Sequence, residues 1–430
     1  YKFTSYRLHA KRYTKPCTRL MIKKNFSIKK IYYGWWVSLA GGVNAFFSSI
    51  PTFSASSVIF KAVEDEFGWS RAIVSGVSSF GRFGGALLGP VEGYLSDKFG
   101  AWKMVLIGFF ISSLGLFWLS SIDSILFYYA SYFLLSVGTS IGGFVPSMSV
   151  VNAWMPHQRT KAMSWVIGGG AFGGFFTPLF VLSIESIGWR HSLIVLGIIF
   201  LLIGPLVSLV IKRKPNLDFV IPKDSPKKII ITNIEPRQAI RNKNFWIIAI
   251  SHLLANVSVG AISAHIFLYL TDHDGVNLTL YVAGTILPLM ALVSFIGQIS
   301  GGILGDRYNK RILLPVLFLV QSISLVILAF ANSFIDAIMF SVIWGIGFGM
   351  RTPILHSLRG EFFGGRHYAT ILGLNAFPMG IGMMLSPVII GFIYDSTNTY
   401  FYSLLSMALL CIASSFLILL IKSPNTKKDL

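Results

Sequence analysis

Two arginines lie inside long apolar stretches of the sequence, where a charge is rare. Arg82 stands in the middle of one stretch, and Arg351 follows a glycine-rich segment in another. A charge at the centre of a membrane helix costs about 2.5 to 3.5 kcal/mol on insertion scales, so such a residue usually faces a cavity. Because arginine keeps its charge and its planar fork fits a carboxylate or phosphate, both residues predict an anionic substrate. The alternative is that each pairs with helix carbonyls or with an acid such as Glu92.

Three titratable residues in the apolar stretches are candidates for carrying a proton: His265, His252 and Glu92. Imidazole titrates near physiological pH, and Glu92 is a carboxylate placed away from the edge of its stretch. The alternative is that each is simply hydrogen-bonded within the helices. Since no acidic residue lies near the centre of a stretch, the pattern disfavours a site for cations.

Two asparagines lie near the middle of further apolar stretches. They are Asn44 and Asn256, which are 256 − 44 = 212 residues apart. An amide in such a place can orient a ligand or form a hydrogen bond between helices. We include both among the candidate substrate-binding residues and keep bonding between helices as the alternative.

A polar segment between two apolar stretches occurs twice in the chain. The first copy is GYLSDKFGAWK at 93–103, and the second is GILGDRYNKR at 302–311. The aspartates, Asp97 and Asp306, are 306 − 97 = 209 residues apart in a chain of 430. This displacement predicts two related halves. It also accounts for the spacing of the two asparagines to within three residues.

The repeated segment resembles the signature of the major facilitator superfamily of secondary transporters. In that family the segment joins the second and third membrane spans, latches the two halves on the cytoplasmic side and releases them as the transporter changes face. The second copy departs from the signature, with Asn309 where glycine is expected. The residues to which the resemblance assigns this gating role are Gly93, Asp97, Lys98, Gly100, Gly302, Asp306 and Arg307.

Three shorter motifs are similar to bacterial monocarboxylate porters and oxalate/formate exchangers. They are YGWW at 33–36, FGWSR at 67–71 and FFGGR at 362–366. This resemblance implies a small organic anion as substrate. Such porters often carry a basic substrate-binding residue in the eighth or eleventh span, but 285–296 and 371–385 hold none here. Arg351 or Arg82 is expected to serve instead.

Composition places the chain in a membrane. It is 54% hydrophobic and 12% charged, with a mean hydropathy of +0.68, which is too apolar for an ordinary soluble protein. The net charge of +19 does not call for nucleic acid, because basic residues collect in the loops on one side of membrane proteins. Neither an ATP-binding loop nor a zinc-protease motif occurs. We therefore expect a protein that is not an enzyme, with no catalytic residue, cofactor or metal.

The expected fold is all-α, with twelve transmembrane helices arranged as two pseudo-symmetric six-helix bundles. A span needs about 20 apolar residues. The expected spans are 33–59, 72–95, 103–121, 125–153, 162–184, 190–211, 244–270, 277–303, 312–331, 335–360, 367–391 and 399–421. The expected domains are a basic tail (1–31), the first bundle (32–211), a linker with a short surface helix (212–243), the second bundle (244–421) and a tail (422–430).

Loop charges predict the orientation. With both termini in the cytoplasm, only Lys61, Arg71 and Arg190 among the basic residues fall in outer loops. We expect a monomer in the inner or plasma membrane of a bacterium or archaeon. Met21, followed by several lysines, is expected to be the natural start, with residues 1–20 an upstream extension.

The function predicted from these features is secondary active or facilitative transport of a small organic anion through alternating access, and the family resemblance implies that this anion is a carboxylate. Its partners would be the lipid bilayer, the anion, and protons or a counter-anion, in symport or antiport. The alternatives are a carrier for a sugar, a drug or another metabolite, and a membrane receptor or scaffold that has lost transport.

Overall fold

The computed structural model describes residues 32–212, 234–273 and 275–421, apart from the side chains of residues 54, 71, 72, 75, 78–87 and 280. Within these ranges the backbone is almost entirely helical and contains no strand. The all-α fold is therefore confirmed. The expected tails at 1–31 and 422–430, and most of the expected linker, lie outside the described residues.

In the described part of the chain, twelve long helices, α1 to α12, follow one another. They are Tyr33–Phe67, Arg71–Phe99, Ala101–Ser120, Ile125–Trp154, Arg159–Ile187, Trp189–Ile211, Lys243–Thr271, Leu280–Arg307, Lys310–Ala329, Phe334–Phe363, Tyr368–Thr397 and Phe401–Leu419. Eleven of them, within the described residues, are long and apolar enough to cross a membrane, and α2 has a comparable length of 29 residues. The expected succession of spans is confirmed, and several helices extend past the expected ends by a turn or more.

Three helices are interrupted where their sequences disfavour regular hydrogen bonding. In α1 a π-helical turn covers Ile50–Ser54 and contains Pro51, and in α5 a 3-10 turn covers Gly173–Phe176. In α4 the chain bends at Gly143, whose φ and ψ are −85° and −111°. Proline lacks the amide hydrogen that a helix needs, and glycine tolerates irregular backbone angles. The turns in α1 and α5 pack against each other.

The helices pack in a pattern that repeats between the halves. In the first half α3 packs on α4 and α6, and in the second half α9 packs on α10 and α12. The most extensive contacts between the halves are those of two helix pairs, α2 with α11 and α5 with α8. A displacement of six helices exchanges these two pairs, so the halves are related by a pseudo-twofold axis. Each half has its own core of buried apolar side chains, although the expected domain limits themselves stay a prediction.

The short surface helix expected in the linker has a counterpart at Pro236–Arg241. It begins with a capping box, in which the side chains of Glu235 and Gln238 each bond the other's backbone amide. This arrangement satisfies amide hydrogens that have no partner inside the helix. Pro236 at the first helical position fits the same start.

We expect Gly169→Ala to weaken the contact between α1 and α5. A Cβ atom at Gly169 would lie 2.1 Å from the carbonyl oxygen of Gly42, so the helices would have to move apart. Overpacking of this kind lowers the free energy of unfolding by about 1 to 3 kcal/mol. Thermal unfolding in detergent measures the effect. The control is Gly174→Ala in the same helix, where a new Cβ meets nothing within 4 Å, and equal melting temperatures for the two variants would contradict the prediction.

Candidate functional site

Asp97, at the end of α2, binds the beginning of α11 in the other half. Its Oδ1 accepts a hydrogen bond from the amide of Ala369 at 3.2 Å. Its Oδ2 accepts one from the amide of Thr370 at 2.7 Å and another from the Thr370 hydroxyl at 2.6 Å. The first amides of a helix have no partner within it and carry a partial positive charge, so a carboxylate is a favourable cap. Asp97 therefore joins the two halves.

Asp306, at the end of α8, makes the matching contact with the beginning of α5. Its carboxylate oxygens accept hydrogen bonds from the amides of Thr160 and Lys161, both at 2.9 Å. The bonded positions repeat with the same spacing as the aspartates, since 369 − 160 = 209 and 370 − 161 = 209. The two aspartates thus form a pair of symmetric contacts at one end of the molecule, which we call the motif face.

The glycines of the repeated segment let the helices approach closely at the motif face. A Cβ atom at Gly93 would lie 2.3 Å from the carbonyl oxygen of Ala369, and one at Gly302 would lie 2.3 Å from Oγ of Ser164. Further contacts between the halves are a hydrogen bond of 2.8 Å from Thr160 to Ser357 and the packing of Gly360 against Asn152 and Arg159. The motif face is therefore closed.

The other residues of the repeated segment lie at the surface or end the helix. Lys98 is exposed, with its ammonium 5.4 Å from the centroids of the Tyr94 and Phe99 rings. Gly100 ends α2 with a φ of +92°, which is a conformation that favours glycine. Arg307 is an exposed residue in the last turn of α8. Their gating role stays a prediction.

Arg351 is fully buried at 0% exposure in α10, inside the second half. Its Nη2 donates a hydrogen bond of 2.9 Å to Oδ1 of Asn256 in α7, and its guanidinium lies 5.4 and 5.5 Å from the ring centroids of Phe318 and Phe348. The Nε and Nη1 atoms have no hydrogen-bond partner among the described residues. The structure thus brings together two of the predicted site residues, and part of a buried guanidinium has no hydrogen-bond partner among the described residues.

Asn44 makes different contacts from Asn256. Its Nδ2 donates to the carbonyl oxygens of Gly142 and Gly143 at 2.7 and 3.2 Å and to Oγ of Ser147 at 2.8 Å. These groups surround the bend in α4, where regular helical bonding is interrupted. Asn44 therefore bonds one helix to another, which was the alternative to a substrate contact.

The remaining predicted residues are dispersed. The side chain of Arg82 lies outside the described residues. His265 is placed between α7, α11 and α12, with Nδ1 at 3.2 Å from the Tyr400 hydroxyl and Nε2 at 2.9 Å from the carbonyl oxygen of Pro387. Glu92 is 3% exposed in α2 and accepts a hydrogen bond from Ser140 in α4. Their part in proton coupling stays a prediction.

A second buried arginine, Arg359, was not predicted from the sequence. It is 2% exposed in α10, its Nη1 lies 3.0 Å from Nδ1 of His356, and its Nη2 lies 2.5 Å from Nδ1 of His252. We call these three residues the Arg359 triad. The sequence contained a signal for it, because residues three apart share one helix face and His356 and Arg359 have this spacing. The pairing with His252 on α7 requires the fold.

The chain resembles known transporters in sequence and in structure. The sequence model of the Major Facilitator Superfamily matches residues 37–377 and, in an overlapping match, residues 278–430. Similar curated proteins include the probable sulfoacetate transporter SauU of Cupriavidus necator, which is 26% identical over 86% of this chain and 91% of its own length. Monocarboxylate transporter 12 of Xenopus laevis is 24% identical, with 92% and 90% covered. The nitrite extrusion protein of Bacillus subtilis is 22% identical, with 81% and 85% covered.

Among solved structures, the E. coli transporter FucP in the outward conformation superposes with a TM-score of 0.70 and 17% sequence identity, covering 90% of this chain and 98% of FucP. The xylose symporter XylE gives a TM-score of 0.69 at 13% identity, with 89% and 94% covered. At these identities the likeness concerns the fold alone.

Proposed function

The chain belongs to the Major Facilitator Superfamily and is an integral membrane protein, and from this premise we propose that it transports a small organic anion of the carboxylate class by alternating access. Transporters of this fold bind substrate near the membrane midplane between their two halves.

The observation that carries the proposal is the incomplete bonding of Arg351. A buried guanidinium is costly unless its charge is compensated. Among the described residues no carboxylate bonds it, and Asn256 occupies one of its three nitrogens. The hydrogens of Nε and Nη1 and the second hydrogen of Nη2 have no partner among the described residues, and guanidinium hydrogens are strong donors to a carboxylate. We propose that the anion binds there, with Asn256 holding the arginine in place and Arg82 as a further candidate contact.

The relatives support the chemical class of the substrate. The names of the sulfoacetate transporter, the monocarboxylate transporter and the nitrite extrusion protein all refer to anions. Two of them are bacterial, in agreement with a bacterial or archaeal plasma membrane. The sugar symporters that share the fold supply no contrary argument about substrate, because their likeness is confined to the architecture.

The motif face is assigned to the cytoplasm. Basic residues of the loops collect on that side, and the positive-inside rule supports a cytoplasmic location for this face and for both termini. With the motif face closed by Asp97 and Asp306, the described conformation is then the one that faces outward. Substrate would enter from the opposite end and leave after the two aspartate contacts have opened.

The experiment is uptake into proteoliposomes of radiolabelled lactate, sulfoacetate and nitrite, with fucose and xylose as neutral solutes of similar size. We expect saturable uptake of at least one anion and none of the sugars above protein-free liposomes, because a neutral solute cannot compensate the charge of Arg351. Uptake of a sugar without any anion would refute the proposed substrate class, while leaving the family assignment in place.

A further inference from the structure

The Arg359 triad lies between Arg351 and the closed motif face. Arg359 follows Arg351 by 359 − 351 = 8 residues on α10, which is about 12 Å of helix rise. At the same level of α10, Ser357 bonds Thr160 of the first half and Gly360 packs against Asn152. An anion that moved from Arg351 to the cytoplasm would have to pass this level of the molecule.

The hydrogen bonds of the triad define the protonation of its imidazoles. A guanidinium has only donors, so Nδ1 of His252 and Nδ1 of His356 must both accept. Both rings are therefore neutral in this conformation and carry their hydrogen on Nε2. Arg359 keeps its Nε without a partner among the described residues, so the two imidazoles are the acceptors that hold this buried cation.

The surroundings of the triad hold no compensating negative charge within the described part of the chain. On α7 and α10, the charged or titratable groups that act on the rings are Arg359, Arg351 and the other histidine. On α11 the Tyr368 hydroxyl donates to the carbonyl oxygen of His356. On α4 the Phe144 ring lies 5.0 Å from the His356 ring, centroid to centroid. Phe144 is itself 38% exposed, so the His356 ring contacts a side chain that reaches the protein surface.

We propose that the Arg359 triad is a second, proton-linked binding site for the transported anion, nearer the cytoplasm than Arg351. This inference rests on the proposed anion transport and goes beyond it, because it assigns the route of the anion and the group that takes the proton.

The exchange at the triad involves one proton and no covalent bond. When Nδ1 of His252 or His356 takes a proton from water, that nitrogen can no longer accept from Arg359. The freed guanidinium hydrogens then donate to the carboxylate or other oxyanion, and the anion's negative charge compensates the added positive charge. When the proton leaves to the cytoplasm, the imidazole accepts from Arg359 again and displaces the anion. Proton and anion thus favour each other's binding, and this coupling is reciprocal.

The test is the pH dependence of anion uptake with the same pH on both sides of the proteoliposome. Wild-type protein, Arg359→Gln and the double variant His252→Gln/His356→Gln are each measured with radiolabelled lactate, sulfoacetate and nitrite at about pH 5.5 and about pH 7.5, on either side of the usual imidazole range. Glutamine can still accept a hydrogen bond from Arg359 but does not titrate. His191→Gln, at an exposed position of α6, is the matched control.

We expect wild type and His191→Gln to be about tenfold faster at the lower pH, within the range usual for coupling between two ligands. The double histidine variant should fold normally and lose this ratio. Arg359→Gln should be slower by about 30-fold or more at both pH values, as expected for loss of a buried charged partner. Thermal unfolding of each variant shows whether the fold is retained.

Several outcomes would overturn the inference. If wild-type uptake did not depend on pH, or if the double histidine variant kept the wild-type ratio of rates at the two pH values, the proton would not bind at the triad. Arg359→Gln with a lowered melting temperature and undiminished uptake would make the triad a structural link. In each case anion uptake by the wild type still supports the proposed function. Failure of all three anions to enter with wild type at either pH would overturn the proposed function and the inference together.

Discussion

Arg351→Gln is expected to reduce anion uptake by at least about 30-fold, corresponding to about 2 kcal/mol or more for loss of a buried charged partner. Glutamine is polar but shorter than arginine, and it carries no charge and no guanidinium fork. The same substitution should leave the melting temperature unchanged or raise it, because it removes a buried charge that is bonded at one of three guanidinium nitrogens and replacing buried charges is often neutral or stabilising. Loss of transport without loss of stability is what distinguishes a binding residue from a structural one.

The measurement combines initial rates of lactate, sulfoacetate and nitrite uptake with thermal unfolding of the same preparation. Arg351→Lys is the informative companion variant, since it keeps the charge and loses the bidentate geometry. We expect it to retain uptake between the wild-type and glutamine values. If Arg351→Gln transported normally and melted at a lower temperature, Arg351 would be a structural link between α7, α9 and α10.

The sequence was a sufficient guide to the architecture because membrane spans are local features. Their length and apolar composition can be recognised without any tertiary contact, and the 209-residue displacement of Asp97 and Asp306 indicated two related halves. The helix ends were less predictable. For example, the expected first span ends at 59, whereas α1 continues to Phe67 after a π-helical turn that contains Pro51.

The partners of the predicted residues could not be derived in the same way, because they come from distant helices. Asp97 bonds amides at 369 and 370, and nothing near Asp97 in the sequence identifies that helix end. Asn44 and Asn256 had been treated as matching positions with one role. In the structure the two asparagines have different partners. Asn256 bonds Arg351, but the repeat equivalent of Arg351 is Gly142 (351 − 209 = 142), and a glycine offers Asn44 only its backbone carbonyl.

The Arg359 triad could not be predicted from single residues, because the burial of Arg359 depends on a contact between the halves. The sequence singles out His252 as a titratable group in an apolar stretch, but it does not single out Arg359, which stands one residue before the end of the expected span 335–360. In the structure the end of α10 is covered by the first half, so Arg359 is 2% exposed. Burial at a contact between halves is a tertiary property, and the apolar length of one span does not reveal it.

Asp97→Ala is expected to impair transport severely while leaving membrane insertion intact. The substitution removes an acceptor of three hydrogen bonds that join the halves. Loss of such charge-assisted bonds should destabilise the closed motif face by about 2 to 4 kcal/mol in total. This is about a 30-fold to 1,000-fold change in the ratio of closed to open populations. The outward-facing state is the one with the closed motif face, so a bias of this size would leave few transporters facing outward. Substrate can restore that population only by the difference between its affinities for the two states.

Distances between spin labels at His157→Cys and Tyr308→Cys, exposed positions of different halves at the motif face, measure the shift in a background where Cys17 and Cys411 are replaced. We expect a long distance, which indicates an open motif face, to dominate in Asp97→Ala. The population with the long distance should be smaller in Asp306→Ala, which removes two hydrogen bonds rather than three. Asp123→Ala, an exposed aspartate near the opposite end, is the control and should match the wild type. Wild-type distances and uptake in Asp97→Ala would mean that the glycine contacts alone keep the motif face closed. A shift in distance in Asp97→Ala, absent from the control, would instead identify the carboxylate as the latch, because the glycine contacts are the same in both proteins.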